Sequence, residues 1–193
     1  GPHAPYVQSQ RCDRYRAAAA QLVGEGKAYR CDCSVERLQQ IRDAQTAAKQ
    51  PTRYDGHCRE RQAEIDATKC VIRFRIPQGG SPDVTSAKSG SVVVHDLIHG
   101  DMTINLATLD DFILLKSDGF ATYHLAHAVD DHEMATTDVI RGDDWLPSLP
   151  RHVLLFRAFG WEPPRYAHLP LLLNTQRKKL GKRDGDVSVN TAK

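Results

Sequence analysis

The sequence predicts an α/β fold that carries a small, mostly β unit in its middle. Residues 5–26 have helical spacing of apolar side chains, residues 70–116 alternate apolar and polar side chains, and the segment after residue 119 alternates strand and helix. With 193 residues, of which 40% are hydrophobic, the chain is large and apolar enough to bury a core.

Two helices are predicted before residue 51. The first covers residues 5–26, and Gly24 and Gly26 mark its end. The second, VERLQQIRDAQTAA, follows Ser34, because a serine hydroxyl accepts from the free N–H groups of a helix's first turn. Pro51 closes this second helix, since proline cannot continue the backbone hydrogen-bond pattern.

The remaining elements are predicted as short strands and helices. The segments CVIRFRIP, SVVVHDLI, MTINL and FILLKS have strand character and are separated by turn signals. After a hairpin-type turn at Asp118 and Gly119, TYHLAHAV is a predicted helix and TDVIR a short buried strand. PRHVLLFRAFG is an amphipathic helix that ends at Gly160, and YAHLPLLLN is another apolar strand. A charged loop after such a strand is where open α/β sheets bind ligands.

Composition excludes several classes of protein. The net charge is only +2, so contact with nucleic acid must come from local patches. No apolar run is long enough to span a membrane, and the N-terminal GPHAPYVQSQ lacks the apolar core of a secretory signal. The five cysteines include a CDC pair, which is typical of metal ligation in a reducing compartment.

The most polar stretch is RKKLGKRDG, residues 177–185, which contains five cationic side chains. Lys178, Lys179, Lys182 and Arg183 could stabilise charge on the phosphates of a polyphosphate ligand, and Gly181 allows close backbone approach. The alternative is a solvated loop. The glycine spacing does not match a Walker A motif.

Three cysteines have the spacing of a metal site. Cys31 and Cys33 lie in an extended segment and point the same way, and Cys58 follows in YDGHC. Tyr54 or His57 could be the fourth ligand. The alternative is that these cysteines are simply buried, which is also our interpretation of the remaining two, Cys12 and Cys70.

Two further groups are candidates for binding. Tyr123 and His127 share a helix face and precede the acidic pair Asp130 and Asp131, which would ordinarily be solvated or paired with arginine. Arg141 leaves the end of an apolar strand, where it could bind a carboxylate through two hydrogen bonds or form a structural salt bridge.

Taken in order, these segments resemble one family closely. PYVQSQR, YRCDC, PTRYDGHCR, VIRFRIP, LIHGDMT, DDFILLKSDGFATYHLAHAVDDHE and KKLGKRDG are similar to the bacterial and organellar glutamyl-tRNA synthetases, through essentially all 193 residues. The resemblance implies the second half of a class I synthetase Rossmann-like nucleotide-binding fold with an inserted α+β module. Residues 1–26 would end the first half, residues 27–110 would form the zinc-containing acceptor-stem module, and residues 111–193 would form the second half with a KMSKS-like loop.

The resemblance also implies roles for individual residues. Lys182, together with Lys179, would contact ATP and act in catalysis, although Gly181 replaces the usual serine. Tyr123 and Arg141 would hold the glutamate substrate. His127 stands where relatives often have asparagine, and by the same resemblance it would contact the glutamate. Trp145 would lie on the ATP side. Cys31, Cys33 and Cys58 would bind zinc together with Tyr54, and His57 and Glu60 are other candidates for the fourth ligand.

The implied reaction is ATP-dependent attachment of L-glutamate to tRNA(Glu) through glutamyl-adenylate, with Mg²⁺ accompanying ATP and Zn²⁺ in a structural role. None of the nine histidines forms the His-x-Gly-His signature of the family's first half. We therefore expect an internal piece of a longer enzyme that is inactive alone. We also expect a monomer in the bacterial cytoplasm or an organellar matrix.

Two alternatives remain. The related glutamyl-queuosine tRNA(Asp) synthetase shares the YDGHC segment, but it has a shorter gap between its CxC and tyrosine and a glutamine after the last signature lysine, where this chain has Arg183. A non-catalytic RNA-binding module could instead use the lysines and arginines of residues 27–75 to contact an acceptor stem.

Overall fold

The computed structural model describes residues 1–66, 69–78, 90–173, 176 and 179. Its helices and strands, in chain order, are α1 Cys12–Gly24, β1 Ala28–Cys31, α2 Val35–Ala47, β2 Val71–Phe74, β3 Ser91–Asp96, β4 Gly100–Asn105, β5 Ile113–Leu115, α3 Tyr123–Glu133, β6 Asp138–Gly142, α4 Leu149–Phe159 and β7 Arg165–Leu169. None of the helices in these ranges combines the length and apolar character that a bilayer crossing requires.

The first helix begins later than predicted. It starts at Cys12 and is preceded by a 3-10 turn, Gln8–Gln10, whereas the sequence predicted a helix from residue 5. The reason lies in Arg11, whose guanidinium is buried and donates to the Pro5 carbonyl (2.9 Å). This contact folds residues 5–10 back over the helix start. The second helix agrees with the prediction, and the Ser34 hydroxyl accepts from Arg37 N–H (3.2 Å).

The middle of the chain forms two antiparallel sheets. Strands β1, β2 and β5 form one sheet, with Ala28 opposite Phe74 and Cys31 opposite Val71. No strand was predicted at residues 28–31, and β1 forms there because β2 supplies a hydrogen-bonding partner that the local sequence does not reveal. Strands β3 and β4 form a hairpin.

The last two strands, β6 and β7, are parallel and are connected by α4. Two predictions need correction here. The TDVIR strand was expected to be buried, yet Ile140 is 67% exposed. The YAHLPLLLN strand ends at Leu169, because Pro170 has no backbone N–H to donate, and Leu172 is 76% exposed.

The larger apolar core joins α1, α3 and α4 to the two antiparallel sheets. It includes Tyr15 of α1, Phe74 of β2, Val92 of β3 and Leu125 of α3. All three predicted segments contribute residues to this core, so it does not mark the boundaries after residues 26 and 110, which stay predictions.

Cys12 and Cys70, which were both expected in the core, differ in their burial. Cys70 is buried with the other cysteines, as expected. Cys12 is only partly buried, and its thiol donates to the Ser9 carbonyl (3.4 Å), so the prediction for Cys12 was wrong. Its position at the start of α1 faces the preceding turn rather than the core.

A buried ion network fixes α1 against α3. The Arg11 side chain is 0% exposed and donates to Asp130 (2.6 Å) and Glu133 (2.5 Å). The Tyr15 hydroxyl also donates to Asp130 (2.8 Å). Asp130 therefore pairs with an arginine, as the simpler interpretation of the acidic pair proposed.

Replacing Arg11 should destabilise the fold strongly. Arg11→Met leaves Asp130 without its cation, and removing one partner of a buried ion pair costs about 3–5 kcal/mol. Urea unfolding followed by circular dichroism measures the loss. Arg16→Met, in the helix that follows Arg11, is the matched control. Its pair with Asp13 is exposed, with Asp13 96% accessible, so the substitution should cost less than about 1 kcal/mol. Equal losses for the two variants would contradict this assignment.

Candidate functional site

Arg141 is the centre of the candidate site. It lies near the end of β6, and the parallel register places His168 of β7 beside it. Its Nε donates to His168 Nε2 (3.0 Å), its Nη2 to His152 Nδ1 (3.1 Å) and its Nη1 to the Tyr123 hydroxyl (3.3 Å). All three acceptors are neutral groups, and within the described residues no Asp or Glu forms an ion pair with Arg141. The salt-bridge alternative for Arg141 therefore finds no partner in those ranges.

Behind Arg141 lies a carboxylate that does not touch it. The side chains of Asp96 and His168 are both 0% exposed, and His168 Nδ1 donates to Asp96 Oδ2 (2.7 Å). Asp96 also accepts from the backbone N–H groups of Ile98 (2.9 Å) and His99 (3.1 Å). Burial alone would raise the pKa of Asp96, but these hydrogen bonds outweigh it and hold the pKa at about 2. Asp96 is therefore ionised at neutral pH.

The second imidazole is held neutral by burial. His152 is 0% exposed, and burial together with the nearby cation Arg141 lowers its pKa far below the ordinary value. Because Nδ1 accepts from Arg141, the proton of His152 sits on Nε2, which lies 3.0 Å from His124 Nδ1. Burial also lowers the pKa of His124 to about 4.

Tyr123 and Trp145 form the aromatic side of the site. Their ring centroids are 4.6 Å apart, and the Arg141 guanidinium lies 5.7 Å from the Trp145 ring. His127 stacks against Tyr123 at 5.5 Å, which confirms that the two share a helix face. However, the His127 side chain is only 7% exposed and contacts Asp131 (3.0 Å) and Tyr166 (3.3 Å). It lies beneath Tyr123 rather than in the open.

A cleft of about 730 Å³ leads from this site toward the cysteines. Its lining includes Tyr123, His124 and Trp145, the cations Arg42, Arg53 and Arg73, and the carboxylate of Asp110. A second cleft of about 470 Å³ shares Arg53, Tyr54 and Asp110 with the first and is also lined by Arg59 and Asp111. That pair forms a 2.5 Å ion pair, which already satisfies its charges. The first cleft is therefore the better candidate for ligand binding.

Of the lysines in the cationic loop, residues 177–185, Lys179 is among the described residues. Lys179 Nζ donates to Asp144 Oδ2 (2.5 Å), and Asp144 follows Arg141 closely in the chain. This contact brings Lys179 to the same end of β6 as Arg141. Lys182 lies outside the described residues, as do Lys178, Gly181 and Arg183.

The three predicted cysteine ligands lie together. The sulfur atoms of Cys31, Cys33 and Cys58 are all within 4.8 Å of one another, with Cys33 and Cys58 3.5 Å apart. Tetrahedral zinc–thiolate bonds of about 2.3 Å place sulfurs roughly 3.8 Å apart, so the cluster could hold such an ion. Burial raises the pKa of the Cys58 thiol to about 12, which favours the protonated thiol unless a cation compensates the thiolate charge.

Of the candidate fourth ligands, only Tyr54 lies at the cluster. Its hydroxyl is 3.4 Å from Cys31 Sγ and 3.5 Å from Cys33 Sγ, and it accepts from Cys58 N–H (3.0 Å). His57 instead contacts Arg61 (3.0 Å), and Glu60 accepts from Arg75 (2.9 Å). Both of these alternatives are thus engaged elsewhere.

Sequence reasoning did not identify Asp96, His152 or His168. A histidine at an inward position of an apolar strand, as in YAHL, is the signal that could have indicated His168. Asp96 and His152 offered no comparable signal, because their partners are distant in the chain.

Comparison with known proteins identifies the family. The model described as tRNA synthetases class I (E and Q), catalytic domain, matches residues 2–193. The glutamate–tRNA ligase of Alkaliphilus metalliredigens (strain QYMF) is 46% identical over 98% of this chain and 38% of its own length. The glutamate–tRNA ligase of Clostridioides difficile (strain 630) is 48% identical over 100% of this chain and 38% of its own.

Two solved structures with a similar fold belong to the same kind of enzyme as these relatives. The crystal structure of glutamate-tRNA synthetase from Elizabethkingia anophelis has a TM-score of 0.80 and 39% identity, covering 96% of this chain and 38% of that one. A glutamate tRNA ligase from Elizabethkingia meningosepticum, in complex with its amino acid, also has a TM-score of 0.80, at 40% identity. The resemblance inferred from the motifs and the predicted fold class are confirmed. The chain spans about two fifths of the length of these relatives.

Acid should destabilise the protein through His124. Its pKa in the folded state is about 4, whereas an unfolded histidine titrates near about 6.5. Between these values the unfolded state binds a proton that the folded state does not, so the free energy of unfolding falls as the pH drops. The loss attributable to His124 should be roughly 2 kcal/mol between pH 7 and pH 4.5.

Urea unfolding at both pH values measures this loss. His124→Asn is the comparison, because an amide oxygen can still accept from His152 but does not titrate. The variant should lose less stability on acidification than the wild type. The same pH dependence in both proteins would refute the role of His124.

Proposed function

We propose that this chain, which belongs to the tRNA synthetases class I (E and Q), is part of the catalytic region of a glutamate–tRNA ligase. The observation that carries the proposal is Arg141, whose charge no described carboxylate neutralises. It adjoins Tyr123 and Trp145, which line the 730 Å³ cleft. A cation kept free of acidic partners beside a cleft suits an anionic substrate.

Arg141 and Tyr123 would recognise the side-chain carboxylate of L-glutamate. A guanidinium has five N–H groups, and three of those in Arg141 are used by His168, His152 and Tyr123. The two that remain can both donate to one carboxylate. Glutamine has a single amide oxygen and an NH₂ group that would face these donors, so the site should reject it. His127 supports the Tyr123 ring from below.

The lysine-rich loop would act on ATP. In the proposed reaction an oxygen of the glutamate α-carboxylate attacks the α-phosphorus, the bond to the bridging oxygen breaks, and pyrophosphate leaves. Lys179 and Lys182 would stabilise the charge on the phosphates, with Trp145 beside the nucleotide. Mg²⁺ bound with ATP would neutralise further phosphate charge. Lys179 would first have to leave Asp144 in order to contact a phosphate.

The arginine-lined part of the cleft suits the acceptor end of tRNA(Glu). Arg42 and Arg53 can pair there with RNA phosphates, whereas the third lining arginine, Arg73, is buried and donates to the Asp111 carbonyl. The 3′-terminal hydroxyl would then attack the acyl carbon of glutamyl-adenylate and release AMP. We propose that the intact enzyme acts in the cytoplasm of a bacterium, since these relatives come from bacteria, and that it acts as a monomer.

The cysteine cluster would hold one zinc ion. Three thiolates with a nearby phenol oxygen form a soft, nearly closed ligand set of the kind that structural zinc prefers. Tyr54 would complete the set, and the Arg73 guanidinium, 3.9 Å above the Tyr54 ring, holds that ring in place. Bound zinc would fix β1 to the YDGHC segment.

Glutamate binding by the chain tests the function. Titrating L-glutamate and L-glutamine separately into ¹⁵N-labelled protein should shift resonances at the site with glutamate far more than with glutamine. Arg141→Lys keeps the charge but loses the planar fork, so it should weaken glutamate binding about tenfold or more. Arg165→Lys, an exposed site paired with Asp138, is the control and should bind as the wild type does. Equal affinity for the two amino acids would contradict the proposed function.

Elemental analysis tests the metal site. Protein purified without chelator should contain about one zinc per chain, and Cys33→Ser should lose most of it. Cys12→Ser is the matched control, because Cys12 lies outside the cluster, and should keep the zinc. A fully folded wild-type chain without zinc would refute the site.

A further inference from the structure

In the Asp96–His168 pair, His168 accepts from Arg141 Nε, whereas Tyr123 accepts from Arg141 Nη1. Asp96 lies at the end of β3, while His168 and Arg141 are register partners on β7 and β6. The pair thus connects the hairpin turn to the residue that we assign to glutamate binding. Neither side chain is accessible to solvent, so neither can touch a substrate.

The order of donors along this chain of hydrogen bonds is fixed by chemistry. A guanidinium can only donate, so His168 Nε2 must be the unprotonated nitrogen that accepts from Arg141 Nε (3.0 Å). The proton of His168 then sits on Nδ1, where Asp96 Oδ2 accepts it (2.7 Å). An ionised carboxylate has no proton to give, so Asp96 admits only this tautomer.

Because His168 lies between Asp96 and Arg141, Asp96 can help to orient the guanidinium without neutralising its charge. If Asp96 bound Arg141 directly, it would neutralise the guanidinium and compete with a substrate carboxylate for the same donors. With a neutral imidazole between them, Asp96 orients the His168 ring and the ring orients Arg141, while no ion pair forms at the arginine. His152, the second imidazole that accepts from Arg141 (3.1 Å), has the same effect on Nη2.

From this arrangement we propose that Asp96 and His168 are positioning residues for amino-acid selection. They fix the His168 tautomer and thereby orient the two free N–H groups of Arg141 toward the glutamate side chain. The inference rests on the proposed function, since it deepens the role of Arg141 in selecting glutamate over glutamine.

Asp96→Asn changes the hydrogen bonding of His168 while it keeps the size of the side chain. The amide keeps one oxygen for the N–H groups of Ile98 and His99, but in place of Oδ2 it presents an NH₂ group to both the ring Nδ1 and the backbone N–H of His168. Nδ1 of His168 should then accept, and the ring proton should move to Nε2. That places an N–H of His168 against the Nε–H of Arg141, two donors facing each other.

The experiment measures tautomer and selectivity in the same samples. The ¹⁵N shifts of the His168 ring should report the Nδ1–H form in the wild type and the Nε2–H form in Asp96→Asn. Binding of L-glutamate relative to L-glutamine should fall about tenfold or more, the size of one charge-assisted hydrogen bond. His168→Gln, which offers an oxygen to Arg141 Nε, should retain more selectivity than His168→Leu.

Asp111→Asn is the matched control for stability. Asp111 is a comparably buried aspartate, 3% exposed, that binds Arg59 and Tyr29 away from Arg141. It should lose stability but keep both the His168 tautomer and the selectivity for glutamate. If Asp96→Asn keeps the Nδ1–H tautomer and the full selectivity, or if Asp111→Asn loses selectivity equally, the inference is overturned.

Failure of the proposed function has a different signature. A wild-type chain that has the Nδ1–H tautomer but binds glutamate no better than glutamine would sink the proposed function and the inference that depends on it. A wild type that selects glutamate, with an Asp96→Asn variant that selects it equally well, would overturn only the inference.

Discussion

The carboxylate of Asp96 organises the junction on which the candidate site depends. It receives N–H groups from the hairpin turn and from β7, so two elements far apart in the chain are fixed by one buried charge. The backbone bond from Leu97 N–H to the Tyr166 carbonyl (2.8 Å) joins the same two elements. A buried charge is tolerable only when its hydrogen-bonding capacity is filled, and here four donors fill it. Misplacing either element would leave these groups unpaired, which is why the geometry around Arg141 is narrowly defined.

Arginine charge is used in two different ways in the molecule. Between α1 and α3, Arg11 is buried and fully paired with acids, which is a structural use of charge. Arg59 and Asp111 serve in the same way beside the cysteines. Arg141 contrasts with both, because its described partners are imidazoles and a phenol. The difference between a paired and an unneutralised arginine thus distinguishes the scaffold from the candidate binding site, and it rests on partners rather than on residue type.

The sequence predicted elements whose signals are local. The α2 helix with its Ser34 cap, the Gly160 stop and the cysteine cluster were all predicted, because capping, glycine geometry and ligand spacing act within a few residues or within one recognisable motif. The strand β1 was missed because it pairs with β2, which is distant in the chain. The start of α1 was misplaced because Arg11 is held by Asp130 and Glu133, which are distant as well. For the same reason His127, four residues from Tyr123, could be placed on the right helix face, but its burial beneath that ring could not be foreseen.

By itself, the sequence determined the family, the fold class and the identities of Arg141, Tyr123 and the three cysteines as candidates, because motif order and ligand spacing are written along the chain. Only the tertiary structure decided that Arg141 has no described acidic partner, that Tyr54 rather than His57 or Glu60 lies at the cysteines, and that Asp96 stands behind His168. These facts depend on which side chains meet across long stretches of sequence. Contacts between distant side chains are fixed by the packing of the whole core, and no local sequence pattern encodes that packing.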